Sequence, residues 1–97
     1  MPRVSHAMSE EVVELQILDF VRERTRVAGI DPGLDLVDHG ILDSLLLAEL
    51  VLFVEERFGV SPTLDELDMA NFASVAQVTS LVMGHLAGPP ASAGSAA

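Results

Sequence analysis

The chain has 97 residues, 49% apolar but only 4% aromatic, with fifteen acids, five arginines and no lysine or cysteine. That length suits one domain with a small core, and the missing cysteines exclude disulfides, thiolate metal sites and cysteine nucleophiles. A formal charge of −10 repels phosphate backbones and excludes nucleic acid as a partner.

Ser9 followed by Glu10 and Glu11 predicts a helix start: a capping hydroxyl, then acids favoured by the positive end of the helix dipole. Val13, Ile17, Phe20 and Val27 follow at helical spacing, with Arg22, Arg24 and Arg26 where cations suit the C-terminal end. Gly29 reads as the stop, so the first helix is expected over about residues 10–28. Residues 30–43 form a long loop with turns at Asp31-Pro32-Gly33 and Gly40. Its apolar residues, Leu34, Leu36, Val37, Ile41 and Leu42, imply that it crosses the bundle and is pinned there.

Asp43 predicts the N-cap of a second helix that reaches Phe58 before Gly59 ends it. After the break at Ser61-Pro62, Thr63 and Glu66 fit a capping box, which predicts a short third helix of one or two turns. Ser74 caps a last helix with an apolar stripe of Val75, Val78 and Val82, stopped at Gly84 or Gly88. The expected architecture is an all-α, four-helix bundle: three main helices, one short helix and a long first loop.

At about 100° per residue, Leu47, Leu50, Val51, Val54 and Phe58 gather on one side of the second helix and predict its core face. Leu45, Ala48, Glu49, Leu52 and Glu56 share the other side, a mixed surface better suited to docking than to burial. Leu46 and Phe53 lie near the boundary. The charge is concentrated around this helix: Asp31 to Asp68 contains ten acids and the single arginine Arg57, whereas residues 69–97 contain no Asp, Glu, Lys or Arg. Such a field attracts partners with basic docking patches.

Ser44 stands at the mouth of this helix with no histidine nearby in sequence to activate it, which disfavours a serine nucleophile. His6, His39 and His85 are too widely spaced for a zinc site, and Asp31, Asp35 and Asp38 miss the ligand spacing of an EF-hand. No metal is expected. A hydroxyl displayed without a base suits being modified.

Val37-Asp38-His39-Gly40-Ile41-Leu42-Asp43-Ser44-Leu45, then Glu49-Leu50-Val51 and Glu55-Glu56-Arg57-Phe58-Gly59-Val60, resembles the phosphopantetheine carrier proteins of fatty acid, polyketide and nonribosomal peptide assembly. Asp68-Met69-Ala70-Asn71-Phe72-Ala73-Ser74-Val75 resembles the short helix and final-helix start of free-standing carriers. The resemblance implies a non-catalytic protein whose Ser44 receives 4′-phosphopantetheine from coenzyme A, with Asp43 helping the phosphopantetheinyl transferase recognise the site. It implies that Leu45, Leu46, Ala48, Glu49, Leu52 and Glu56 contact partner enzymes: the transferase, an adenylating ligase or acyltransferase, and downstream synthases. Ile41-Leu42-Asp43-Ser44 with Glu56-Arg57-Phe58-Gly59 is most similar to D-alanyl and discrete aminoacyl carriers, although Leu46 replaces the Gly or Asp often found there.

The expected organisation is a flexible segment at 1–8, a carrier domain at 9–86 and a disordered Pro/Gly/Ala-rich tail at 87–97. A bacterial, monomeric, discrete carrier of an amino acid or related unit follows from this reading. A carrier of fatty acid or polyketide synthesis and an unmodified helical interaction module are the alternatives. The longest apolar run, Leu50 to Val54, is far short of the ~20 residues of a membrane span. Met1-Pro2-Arg3-Val4-Ser5-His6 lacks an apolar signal core, so a cytoplasmic location is expected.

Overall fold

Helix α1 spans Glu10–Thr25 because both of its ends are chemically marked in a computed structural model that describes residues 9–87. The expected flexible segment at 1–8 and the expected tail at 87–97 lie outside the described residues, except for Ala87, which is helical rather than disordered. Ser9 Oγ accepts the Val12 N–H at 3.2 Å, and Glu10 and Glu11 occupy the first turn. The other end differs from expectation. Arg26, with φ 61°, takes the left-handed conformation and donates its N–H to the Arg22 carbonyl, so α1 stops before Val27 and Gly29 are reached. The Arg22 side chain supplies the reason: its Nε and Nη2 donate to the Ile30 carbonyl at 3.1 and 2.8 Å, drawing the chain back and seating Ile30 in the core. The buried stripe of α1 is therefore Val13, Ile17, Leu18 and Val21, while Val27 is exposed and Phe20 lies at the edge.

Helix α2 spans Ser44–Phe58, and Gly59 (φ 70°) returns its N–H to the Glu55 carbonyl as the glycine predicts. The expected short third helix is instead two 3-10 turns, Leu64–Glu66 and Met69–Phe72. Thr63 and Glu66 complete the capping box, and Asp68 Oδ1 then accepts the Ala70 N–H at 3.0 Å, restarting the chain before a longer helix forms. Helix α3, Val75–Ala87, begins where Ser74 Oγ accepts the Gln77 N–H at 3.1 Å. Gly84 does not stop it: a helical glycine costs only about 1 kcal/mol, and the fully buried Val75, Val78 and Val82 hold the helix through that point. Gly88 lies outside the described residues.

These elements form an all-helical bundle in which α1 packs chiefly on α3 and lightly on α2. Fully burying an aliphatic side chain contributes about 1.5–3 kcal/mol, so the core has to draw on the loops as well as the helices. Ile30, Leu36, Leu42, Val60 and Phe72 come from outside the three α-helices and are all buried. The long loop is pinned as its composition predicts, with Val37 the exposed exception. Two crossed backbone bonds fix it to the approach of α3: Leu36 N–H to the Ala73 carbonyl at 2.6 Å, and Ala76 N–H to the Pro32 carbonyl at 2.8 Å.

Candidate functional site

The Leu36 carbonyl organises the mouth of α2 by accepting the N–H groups of both Ile41 and Leu42, at 2.8 and 2.9 Å. That fold-back requires a left-handed residue, and Gly40 provides it with φ 68°. Leu42 is thereby buried, and the chain emerges at Asp43 in an extended conformation that suits an N-cap. Asp43 Oδ1 accepts the Leu46 N–H at 2.9 Å, and its carbonyl accepts the Leu47 N–H. By helix geometry the Ser44 and Leu45 N–H groups have no intrahelical acceptor and face outward with the positive end of the dipole.

Ser44 is the first helical residue and is exposed. No described side chain hydrogen-bonds to it. His39 turns instead to its own loop, where Nδ1 and the backbone N–H reach the Asp35 carbonyl at 2.9 and 3.2 Å. A carbonyl can only accept, so that ring nitrogen carries the proton. The Oγ of Ser44 stands free beside two open N–H donors. A phosphate ester fits there, because anions are favoured at a helix N-terminus.

Beyond Ser44, α2 turns an apolar and acidic face outward. Leu45 is 68% exposed and Leu52 55%, with Ala48 and Glu56 also exposed. Leu46 departs from expectation. It is buried, and its neighbours are core residues rather than solvent. Leu42, Leu46, Leu50, Val54 and Phe58 form one buried ridge at every fourth position, and the burial of Leu42 in the loop sets its phase. Leu47 and Val51 are consequently half-buried. Leu46 is a core residue and does not belong to the outward face of α2.

Two residues of α1 join this outward face and were not legible as part of it. Arg24 grips the Glu49 carboxylate with two prongs, Nε to Oε1 at 3.0 Å and Nη2 to Oε2. These hydrogen bonds first, and the Glu49 charge second, hold the Arg24 proton still more firmly than usual. One helical turn away Phe20 stacks on Phe53 at 4.4 Å, and the Arg57 guanidinium lies over the Phe53 ring, 5.8 Å from its centre. The pairs 24 with 49 and 20 with 53 step in opposite directions, so α1 and α2 run antiparallel along this seam. The signal in the sequence was an arginine and a phenylalanine one turn apart on each helix, with an acid as the complement.

A family model for the phosphopantetheine attachment site matches residues 16–82, more than half of the chain. The chain belongs to that family. The family carries a covalently attached 4′-phosphopantetheine and works with phosphopantetheinyl transferases and synthase enzymes. No curated protein and no solved structure matches the chain. In this phosphopantetheine carrier the matched region runs from inside α1 to inside α3, taking in the loop, Ser44 and the whole of α2. No helix among the described residues is long and apolar enough to cross a membrane.

Proposed function

We propose that Ser44 is the attachment residue, and that this is a discrete, non-catalytic carrier of an amino acid or related acyl unit in bacterial polyketide or nonribosomal peptide assembly. The observation that supports it is the exposed Ser44 hydroxyl at the capped, open N-terminus of α2, inside the matched region. In the modification the Ser44 oxygen bonds to the pantetheine-bearing phosphorus of coenzyme A. The pyrophosphate linkage breaks, adenosine 3′,5′-bisphosphate leaves, and the hydroxyl proton goes to the transferase. When bound, the arm supplies a thiol that holds cargo as a thioester. Asp43 keeps the helix mouth rigid by capping, and Leu45, Ala48, Glu49, Leu52 and Glu56 meet partner enzymes with basic docking surfaces. The cytoplasm, where coenzyme A and these enzymes work, is the proposed location.

The preference for an amino acid rests on Ile41-Leu42-Asp43-Ser44 and Glu56-Arg57-Phe58-Gly59, which are similar to aminoacyl carriers. Intact-mass analysis after incubation with coenzyme A and a broad-specificity phosphopantetheinyl transferase tests the central claim. One phosphopantetheine is expected on the wild-type chain and none on Ser44→Ala. No gain across several such transferases would favour an unmodified interaction module. Charging of the modified protein by an amino-acid-adenylating ligase supports the aminoacyl reading, and charging only with fatty or polyketide acyl units replaces it with the alternative.

A further inference from the structure

The grip of Arg24 on Glu49 closes one rim of a shallow groove between α1 and α2, lined by Phe20, Arg24, Glu49, Leu52, Phe53 and Glu56. Its volume of about 230 Å³ falls below the roughly 300–1,000 Å³ of small-molecule pockets. It fits one apolar side chain of a docking protein better than a cargo. Three of its residues, Glu49, Leu52 and Glu56, belong to the outward face of α2, so the groove continues that face onto α1.

The two glutamates are not equivalent. Glu56 is exposed and has no ion-pair partner among the described residues, whereas both carboxylate oxygens of Glu49 are held by Arg24. Glu49 lies five residues beyond Ser44, about 8 Å along the helix, where an enzyme acting on Ser44 must come close. A cation approaching there meets a carboxylate already neutralised from within the chain. The Arg24 side chain is half exposed, so its guanidinium can be taken up by water when a competing cation replaces it on Glu49.

We propose that Arg24 is a built-in competitor for Glu49. It masks that carboxylate from the arginines or lysines of a basic partner surface, so a partner that pairs with Glu49 has to displace Arg24. Partner surfaces that present an apolar side chain beside a cation for Glu56 dock without that exchange, and those that need Glu49 as well dock more weakly. The inference rests on the carrier reading above.

The test uses the full-length apo protein, coenzyme A and a broad-specificity phosphopantetheinyl transferase as the basic partner, with initial rates read by intact mass. Arg24→Gln is expected to lower KM for the carrier about two- to fivefold, the range of a surface ion pair, with kcat unchanged. The drop should shrink at high salt. In an Glu49→Gln background Arg24→Gln should move nothing, and Arg24→Lys, which keeps the charge but loses the fork, should fall between. An unchanged or raised KM, or a drop that persists without Glu49, overturns the masking role while leaving the carrier reading intact. Absence of any mass gain on the wild-type chain removes both.

Discussion

Arg26 and Gly59 do the same work at the ends of α1 and α2, with φ of 61° and 70°, but only one of them suits it. The left-handed region costs a non-glycine residue roughly 1–2 kcal/mol, and glycine gives back about 0.4–1 kcal/mol through its freer unfolded chain. Arg26→Gly should therefore stabilise the protein by up to about 1.6 kcal/mol. Gly59→Ala should destabilise it by up to about 1.6 kcal/mol, since a Cβ there meets no atom within 4 Å and the left-handed strain is offset only by the stiffer unfolded chain. Urea unfolding of the two variants measures both signs. The pair also shows what a sequence reveals about helix ends. Gly59 announces its conformation, whereas Arg26 is held in place by Arg22 reaching the Ile30 carbonyl, a tertiary contact that local spacing does not encode.

At the scale of elements, the phase of α2 decides which leucines matter. Leu46→Ala should cost about 2–5 kcal/mol, as core truncations do, while the neighbouring Leu45→Ala should stay within about 0.5 kcal/mol. Thermal melts separate the two. Angular spacing located the outward face of α2 through Leu45, Leu52 and Glu56, but it placed Leu46 at the border because it treated the helix in isolation. Leu42, one turn before Leu46 in a loop that only looked irregular, carries the ridge past the helix start.

The first 3-10 turn is tied to the end of α3 by Glu66, whose Oε1 accepts the Thr63 N–H at 2.9 Å and meets His85 Nε2 at 2.8 Å. The Thr63 N–H is the main cause holding the Glu66 carboxyl below its usual range; the His85 contact adds to it and partial burial opposes it. A depressed folded pKa adds stability that is fully present above the unfolded value, about 4.3, and is lost as pH falls through the folded one. The wild-type protein should thus lose stability below about pH 4.3 more steeply than Glu66→Gln, as followed by urea midpoints across an acid series.

Across the whole molecule, a charge of −10 on 97 residues sets the background against which these contacts act. Ten acids between Asp31 and Asp68 repel one another in the folded state more than in the extended chain. Added salt screens that repulsion over about 10 Å at 0.1 M, so the melting temperature should rise with sodium chloride; a fall would mean that ion pairs such as Arg24–Glu49 outweigh the self-repulsion. The all-helical plan was readable from caps, stripes and glycines. The contribution of α1 to the outward face was not, because it depends on two helices aligning across the seam.

The crossed amide bonds from Leu36 to Ala73 and from Ala76 to Pro32 moor the doorway of α2 to the threshold of α3. Segments distant in sequence are therefore tied directly through the backbone. A push on the loop before Ser44 is expected to be felt at the entry to the last helix, with the buried Leu36 as the shared anchor.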